Sequence, residues 1–436
     1  MKNLKYSIIL LSVLIYTAGC KKHDDNNNPN NDNNNNNNNN QKILTSMNIG
    51  DAKTLFILNP SAQMKLLEGA SVNKLYKVTE EGLVVEVTLT DDDGNSLTNV
   101  VSPKFICNLS DDYFTVTFMG DQYTSSQING TFLVRKSDGA VFKGDNLPMQ
   151  APGVLPGTYE NIRCRRDLFL QYDKFGNIYY YNNQKIMKLT ITDPDNPTIS
   201  LYSAYGDQAG DYCIDKEGNM LYSGENGSGP HKYRSVVDGF RFIEACSSLW
   251  TDFSDTIYFK TNFSQYPYIY KIIPSPFEVK VYGDTLFQSE YIAQLVKIKN
   301  KNTIISATHS WQGQGNIQEL YNNERVLKKT PFSYYGIYNL KKMIASDNYY
   351  YIASTDESYN SKLLKIDPTD NTYVNLLTTG QYDIFDIVVS STDEIQFYAI
   401  RLLDGNPVLC KIGSGGTVEE ISQLNGGTIS VLERIN

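Results

Sequence analysis

Short apolar segments that alternate with polar positions follow one another from about residue 50 to the C-terminus. In residues 172–190 (YDKFGNIYYYNNQKIMKLT), a charged turn leads into 178–181, and two asparagines separate that segment from 185–189. Period-two segments bounded by turn residues predict β-strands, here one β-hairpin. The chain has no long stretch with the 3.6-residue period of an amphipathic helix, so the pattern predicts an all-β fold.

The hairpin is one copy of a repeat. DKEGNMLY at 215–222 matches DKFGNIYY at 173–180. The same order of turn, strand, loop and strand recurs, with apolar strands that start near residues 113, 178, 220, 257, 304, 349 and 395, and at 54–58. A spacing of about 40–50 residues with four strands per repeat is typical of a β-propeller.

Four strands, A to D, can be assigned to each repeat; for the opening stretch they are 162–171, 178–182, 185–190 and 197–202. The N-terminal copy has strands B, C and D at 54–58, 73–78 and 83–89 but lacks strand A, whereas strand 427–435 is left over. We expect the C-terminal strand to complete the first blade, because closure removes open sheet edges. This predicts eight blades; the alternative is seven, with residues 50–100 as a separate β element.

The D-x-x-G-N-apolar turns at 173–178 and 215–220 resemble repeats of the NHL/quinoprotein-like propeller group. The resemblance implies an architecture and no activity. The quinoprotein branch needs a recurring tryptophan in each blade, and two tryptophans cannot supply it.

The N-terminus has the pattern of a targeting segment. Two lysines precede an apolar run at 6–18 that is too short to span a bilayer, and the run ends in TAGC at 17–20. This resembles a lipoprotein signal: residues 1–19 are removed and Cys20 is acylated. The alternative is an ordinary secretory peptide. Residues 20–45, rich in asparagine, would be a disordered tether, and residues 46–436 the propeller.

The residues just after Cys20 (KKHDD) resemble the export signal of Bacteroidota-type surface lipoproteins. This resemblance implies an outer-membrane protein that faces the cell exterior, with the membrane as a partner through its anchor. The formal net charge of −9 argues against nucleic acid as a partner. Five cysteines remain beyond Cys20, without a C-x-x-C spacing, and we expect buried thiols.

In propellers the B–C and D–A loops share one face, and here the B–C loops are long and polar while the A–B turns are short. Loops on a rigid scaffold commonly carry function. Aromatic side chains bordered by polar ones suit sugar rings. The candidate ligand-binding residues are Trp311, His309, Tyr334, Tyr335, His231, Tyr266 and Tyr359. For Trp311, Tyr266 and Tyr359, packing against a neighbouring blade is the alternative.

Motifs for catalysis are missing: the sequence has no H-E-x-x-H and no G-x-S-x-G. The run DDDGN at 91–95 is interpreted as a turn, because serine stands at 102, where an EF-hand would need glutamate. Arginines at 163, 165 and 166 are expected to pair with Asp167 at a strand end; an anion site is the alternative. We predict no metal and no cofactor.

The sequence therefore favours an envelope-anchored binding protein, with glycans as the expected ligand class. A protein–protein interaction scaffold in an envelope complex is the alternative. A polysaccharide lyase or hydrolase that uses His231 and His309 from neighbouring loops is the less favoured possibility.

Overall fold

The structure is a computed structural model, and it describes most of the chain beyond residue 43. The described ranges are 44–60, 73–97, 102–118, 130–142, 171–182, 185–195, 197–203, 212–222, 231–235, 239–243, 246–261, 268–274, 276–284, 290–310, 315–321, 328–378, 380–413 and 416–435. No helix within these ranges is long and apolar enough to cross a membrane.

The described strands, numbered in chain order, form eight four-stranded antiparallel sheets. Within each sheet the strands are named A, B, C and D in their spatial order. Sheet 1 contains β34 (Thr428–Arg434), β2 (Ala52–Asn59), β3 (Lys74–Thr79) and β4 (Val84–Glu86); sheet 2 contains β6 (Pro103–Asn108), β7 (Tyr113–Phe118), β8 (Gly130–Arg135) and β9 (Val141–Phe142); sheet 3 contains β10 (Gln171–Tyr172), β11 (Ile178–Asn182), β12 (Lys185–Thr190) and β13 (Thr198–Ser203); sheet 4 contains β14 (Tyr212–Ile214), β15 (Met220–Tyr222), β16 (His231–Ser235) and β17 (Gly239–Ile243).

Sheets 5 to 8 follow the same order. Sheet 5 contains β18 (Cys246–Thr251), β19 (Ile257–Thr261), β20 (Tyr268–Pro274) and β21 (Phe277–Asp284); sheet 6 contains β22 (Glu290–Ile298), β23 (Thr303–Ser310), β24 (Gly315–Tyr321) and β25 (Lys329–Pro331); sheet 7 contains β26 (Asn339–Ala345), β27 (Tyr350–Thr355), β28 (Ser361–Ile366) and β29 (Tyr373–Asn375); sheet 8 contains β30 (Tyr382–Val389), β31 (Ile395–Arg401), β32 (Pro407–Ile412) and β33 (Val418–Gln423).

Three smaller elements complete the described structure. Strands β1 (Leu44–Met47) and β5 (Leu89–Asp91) pair in a two-stranded sheet, a single 3₁₀ turn spans Lys299–Lys301, and one short helix, α1 (Phe332–Tyr335), connects sheets 6 and 7. The predicted strand at 83–89 is wrong at its end: β4 stops at Glu86, and the chain then turns to pair residues 89–91 with 44–47.

The predicted all-β propeller built from four-stranded sheets is confirmed. Each predicted B strand is present, and its first residue agrees with the expected start to within two residues. The agreement follows from the physics of the pattern. Strand B is covered by a neighbouring sheet on both faces, so it is the most apolar strand of each repeat; in sheet 7 every residue of β27 is buried.

Apolar clusters between successive sheets make up the core. One cluster joins sheets 7 and 8 through residues such as Tyr351, Ala353 and Phe397, and another joins sheets 8 and 1 through Tyr398 and Phe56. Strands A of successive sheets also contact each other, including β30 with β34 and β34 with β6. Each sheet is therefore stabilised by the two beside it.

The A–B turns of sheets 3, 4 and 5 have a common structure that explains the D-x-x-G-N motif. In sheet 3, Asp173 Oδ1 accepts hydrogen bonds from the backbone N–H groups of Phe175 and Asn177 at 2.9 and 3.0 Å. Its Oδ2 accepts the Asn177 amide at 2.7 Å. Gly176 adopts φ = 76°, which closes the turn in the left-handed region. Sheets 4 and 5 repeat this arrangement around Asp215 and Asp252.

The C-terminal strand connects the two ends of the propeller domain, as the sequence predicts. Strand β34 pairs with β2, and the N–H of Ile435 donates to the Lys53 carbonyl at 3.0 Å. The largely buried guanidinium of Arg434 donates to Glu394 Oε2 at 2.8 Å, from the A–B turn of sheet 8. Lys53 Nζ reaches the same carboxylate at 3.3 Å. Sheet 1 therefore combines strands from residues 52–86 with the C-terminal strand, and ion pairs connect it to sheet 8.

We predict that Glu394→Gln makes stability less dependent on pH. The hydrogen bond from Arg434 holds the pKa of Glu394 below its ordinary value of 4.5. A lowered carboxyl pKa adds stability above the unfolded pKa, and this stability is lost as the pH falls through the folded pKa. Because half of the Glu394 side chain is exposed, we expect the variant to lose about 1 kcal/mol of unfolding free energy at pH 7. This difference from wild type should shrink as the pH falls below 4.5.

Urea unfolding at several pH values measures this difference. Glu86→Gln is the matched control, because Glu86 pairs with Lys74 at 3.1 Å on an exposed outer strand; its effect should be within about 0.5 kcal/mol at every pH. A Glu394→Gln variant that tracks wild type at pH 7 would contradict a fastening role for this carboxylate.

Candidate functional site

The antiparallel order of each sheet places the connections on two opposite faces. Loops between strands B and C lie at the same end as the connections from D to the next strand A. We call this end the loop face, and the opposite end, with the A–B turns, the turn face. The described part of the loop face consists mainly of residues 332–338, 356–360 and 402–406, which belong to sheets 7 and 8 and their connection to sheet 6.

Helix α1 places the adjacent residues Tyr334 and Tyr335 in different environments. Residues three apart on a helix share a face, so Phe332 and Tyr335 both point into the core, and each is almost fully buried. The hydroxyl of Tyr335 lies 3.3 Å from that of Tyr350, and burial raises the pKa of Tyr335. Tyr335 is therefore a packing residue, and its predicted role on the ligand-binding face is wrong. Tyr334 points outward and is 56% exposed.

Tyr334 contributes to an aromatic edge between sheets 6 and 7. Its ring centroid lies 6.0 Å from that of Tyr373 on the outer strand β29, and the Tyr373 hydroxyl donates to the Tyr334 carbonyl at 3.4 Å. Both rings also contact the buried ring of Tyr335, at 5.0 and 5.3 Å. The buried tyrosine thus supports two exposed ones.

The B–C loop of sheet 7 has the geometry of the A–B turns but a tyrosine in the glycine position. Asp356 Oδ1 accepts hydrogen bonds from the N–H groups of Ser358 and Asn360, both at 2.9 Å. Tyr359 adopts φ = 63° where the motif of sheet 3 has Gly176. The left-handed conformation costs an L residue roughly 1–2 kcal/mol. Tyr359 is nevertheless 71% exposed, so core packing does not explain the side chain.

The positive φ of Tyr359 is unusual among the described residues. The other non-glycine residues with positive φ are all aspartate or asparagine: Asp255, Asn302, Asn371, Asp393 and Asn425. These residue types tolerate the left-handed region, whereas a bulky aromatic residue there is an outlier. Observed strain of this kind motivates a functional hypothesis.

Tyr338, which precedes strand β26, forms an aromatic pair with Tyr359. The two ring centroids are 5.5 Å apart and the rings meet edge to face at 77°. A side-chain hydrogen bond with Tyr359 raises the pKa of Tyr338. Both rings are more than half exposed. Asp356 and Lys362 lie beside the pair, and Lys362 Nζ donates to the Gly336 carbonyl at 3.1 Å. The arrangement is an exposed aromatic surface with polar groups at its border.

A second exposed feature on this face is a leucine pair in the B–C loop of sheet 8. Leu402 is 50% and Leu403 91% exposed. Arg401 fixes the loop: its guanidinium donates to Asp404 Oδ2 at 2.6 Å and to Glu420 Oε2 at 2.7 Å. The hydrogen bond from Arg401 holds the pKa of Asp404 well below its usual range. The loop therefore presents two exposed apolar side chains while ion pairs hold its backbone in place.

Both histidines of the predicted site lie at strand ends and not in loops. His231 is the first residue of β16, and His309 pairs with Gly315 near the end of β23. They belong to sheets 4 and 6, and the strands of sheet 5 lie between them in the chain. A lyase that uses both histidines stays a prediction. Cys20, Trp311, Tyr266 and the arginines at 163, 165 and 166 lie outside the described residues.

The remaining sequence predictions concern acidic residues and thiols. Asp91 Oδ1 accepts hydrogen bonds from the N–H groups of Asp93 and Asn95 at 3.1 and 2.7 Å, which confirms that residues 91–95 form a turn. The carboxylates at 91–93 lie within 4.8 Å of one another. Cys213 and Cys410 are buried as expected, and burial raises the pKa of the Cys410 thiol to about 12.

Comparisons with known proteins match the fold and no family. No family model and no curated protein matches the chain. Similar solved structures include virginiamycin B lyase from Staphylococcus aureus, with 12% identity, a TM-score of 0.37, and coverage of 58% of this chain and 83% of that chain.

Two further structures come from Bacteroides. A proposed 6-phosphogluconolactonase from Bacteroides fragilis has 10% identity and a TM-score of 0.42, over 75% of this chain and 99% of that chain. The extracellular domain of a proposed one-component system from B. thetaiotaomicron has 10% identity and a TM-score of 0.37, over 87% of this chain and 53% of that chain. These neighbours are β-propeller proteins.

We predict that Tyr359→Gly leaves stability unchanged or raises it by up to about 1 kcal/mol. Glycine removes the strain of the left-handed conformation, which outweighs the loss of one exposed ring contact and the greater entropy of glycine in the unfolded chain. Thermal and urea unfolding measure the effect.

Gly218→Ala is the matched control, because Gly218 holds the same turn position in sheet 4 with φ = 88°. The free energy of unfolding of Gly218→Ala should be about 1 kcal/mol lower than that of wild type. A Tyr359→Gly variant that unfolds as easily as Gly218→Ala would mean that the tyrosine is a structural residue.

Proposed function

We propose that this protein is a lipid-anchored binding protein of the cell envelope, which uses the loop face of its propeller to bind glycans. One observation supports the choice of the loop face. The aromatic pair Tyr338–Tyr359 is exposed, and Tyr359 adopts a positive φ that is unfavourable for tyrosine. Exposed aromatic rings stack on the apolar faces of sugars, and bordering polar groups bind hydroxyls. The B–C loop that carries Tyr359 is also closed by its own hydrogen bonds, which reduces the entropy lost on binding.

The N-terminal sequence supports the anchoring part of the proposal. Acylation at Cys20, followed by an asparagine-rich tether of roughly 25 residues, would allow the propeller a reach of about 25–30 Å from the membrane. The KKHDD segment supports export to the outer surface of an outer membrane.

We propose further that the ring has eight blades, each four-stranded sheet being one blade. Two features support this count over seven. Strands β2, β3 and β4 share a sheet with the C-terminal strand β34 and do not form a separate element. The contacts of β34 with both β30 and β6 are those expected of a blade between sheets 8 and 2.

A protein partner is the second candidate ligand, and the leucine pair favours it. Leu402 and Leu403 offer apolar side chains without hydroxyl-binding groups, on a loop that salt bridges hold in place. Exposed apolar residues on a rigid loop are typical of protein contacts more than of sugar contacts. The two candidates therefore predict different sensitive residues on the same face.

We predict that Tyr359→Gly weakens polysaccharide binding at least tenfold without unfolding the protein. A glycan array followed by affinity gel electrophoresis of wild type would identify the ligand, and the variant should bind at least tenfold more weakly, because each well-placed aromatic contact contributes about 1–2 kcal/mol. Tyr373→Ser, on the outer strand, is the control and should bind normally.

The same variants separate the two candidates. If no polysaccharide binds wild type, the glycan proposal is wrong. Cross-linking in the native envelope would then be expected to recover a second protein in wild type and to lose it in Leu403→Asp but not in Tyr373→Ser. Recovery of the protein alone would count against both ligand classes.

We predict that Cys20→Ser releases the protein from the membrane, because acylation of the cysteine sulfur provides the anchor. Membrane fractionation measures the released share, and labelling with a radioactive fatty acid reports the modification directly. Cys410→Ser, a change in the buried core, should remain in the membrane fraction. A Cys20→Ser variant that stays membrane-bound and labelled would refute the lipoprotein interpretation.

A further inference from the structure

A pocket of about 620 Å³ opens on the turn face, at the end of the propeller opposite to the loop face. The A–B turns of sheets 4 and 5 contribute residues 215–217 and 252–256, and the end of β20 contributes residues 271–274. Tyr321, at the end of β24, completes the wall from sheet 6. The volume is within the range of small-molecule sites in proteins.

Several charged groups in this pocket are already satisfied by the fold. Both carboxylate oxygens of Asp215 accept hydrogen bonds from its own turn. In Asp252, Oδ1 accepts a backbone N–H of the turn and Oδ2 accepts the Tyr258 hydroxyl at 3.1 Å. Glu217 pairs with Lys174 at 3.5 Å. These groups shape the pocket but are not available as its main ligand contacts.

Three charged groups in the pocket have no such partner among the described residues: the carboxylate of Asp255 and the ammonium groups of Lys216 and Lys271. Burial raises the pKa of Asp255, and nearby Lys297 and Lys216 partly offset this effect. Lys297 itself donates to Thr251 Oγ1 at 2.7 Å and to the Asp252 carbonyl at 3.2 Å. A partly buried carboxylate without a hydrogen-bonded partner gains from a ligand that brings a cation.

A comparison with sheet 8 shows that the lack of a partner is specific to this turn. Asp393 holds the same turn position as Asp255, with φ = 70° against 58°. The Asp393 carboxylate accepts the Tyr351 hydroxyl at 2.9 Å and lies 3.7 Å from Lys365 Nζ, both on the preceding sheet. An aspartate in this position is therefore compatible with the fold when the preceding sheet supplies partners.

The sheet that precedes Asp255 lacks those two partner groups. Tyr351 and Lys365 are paired neighbours in β27 and β28, and the corresponding pair in sheet 4 is Leu221 and Tyr233. Leucine cannot donate, and the Tyr233 ring is buried against Phe277 in the core. Asp255 thus keeps the turn geometry without the contacts that satisfy Asp393.

The pocket also has apolar walls. Ile257, Ile272 and Ile273 lie along it, and Pro274 and Tyr321 border it. A single cavity therefore presents one carboxylate, two ammonium groups and an apolar surface. The ligand that complements all three carries an ammonium group, a carboxylate and an apolar body.

We propose that this pocket binds a small zwitterion of the amino acid or short peptide class. The ligand ammonium group pairs with Asp255, its carboxylate with Lys216 and Lys271, and its side chain packs against the isoleucines and Tyr321. The site is independent of the glycan or protein site on the loop face, because the two faces share no residue.

Isothermal titration calorimetry on the full-length chain tests the proposal with leucine, phenylalanine and the dipeptide Leu-Leu as probes. At least one probe should bind. The N-acetyl analogue of the probe that binds, which lacks the ammonium group, and its amide, which lacks the carboxylate, should each bind at least tenfold more weakly than that probe. Equal binding of either analogue, or no heat from any of the three probes, overturns the proposal.

Asp255→Gly tests the assigned carboxylate. Glycine is the residue of the corresponding turns in sheets 3 and 4, so the melting temperature should be unchanged or raised while the affinity for the bound probe falls at least tenfold. Asp393→Gly is the matched control: it loses the Tyr351 hydrogen bond, so its melting temperature should fall while its affinity is retained. Retained affinity in Asp255→Gly overturns the assignment, and so does an equal loss in Asp393→Gly.

Discussion

The hydrogen bonds that an aspartate or a serine makes to its own turn are the interaction on which the A–B turns of sheets 3, 4, 5 and 8 depend. In sheets 3, 4 and 5 one carboxylate oxygen accepts the N–H groups two and four residues ahead, so each of these turns satisfies two backbone donors that have no partner in the strand ladder. The residue between them must then adopt a positive φ. This fixes the reversal from strand A to strand B, and with it the register of both strands. Because the apolar strand B is covered on both faces, a register error here would expose the core.

The C-terminal strand is held by a different set of contacts. Each sheet buries its faces against its neighbours, so an uncovered sheet would leave an apolar face in water. Strand β34 pairs with β2, which brings the C-terminal strand into one sheet with residues from 52–86. The ion pair from Arg434 to Glu394 and the Lys136 ammonium group, which donates to the Ile435 carbonyl at 2.5 Å, hold the strand from sheets 8 and 2. The end of the chain is thus tied to its neighbours on both sides.

The fold could be predicted from the sequence because its causes are local. Alternation, turn residues and a regular spacing are visible along the sequence, and the leftover strand at 427–435 indicated the pairing with the N-terminal copy that the structure shows. The candidate site could be predicted only in part. Tyr334 and Tyr335 are adjacent and chemically identical, and only the short helix decides that one is exposed and the other buried. The pairing of Tyr359 with Tyr338 likewise joins two loops 21 residues apart, a relation that neither loop shows alone.

Departures from the repeat separate structural residues from candidate functional ones, but only when their partners are considered. Aspartate and asparagine occur at most of the described positive-φ positions that lack glycine, and they tolerate this conformation. The positive φ of Asp255 is therefore not, by itself, an indication of function. Asp255 differs from Asp393 in its side chain, because the Asp393 carboxylate accepts the Tyr351 hydroxyl. Tyr359 differs, because neither its residue type nor core packing favours the position. The same turn that builds the scaffold thus provides, where its glycine is replaced, the two surfaces on which binding is proposed.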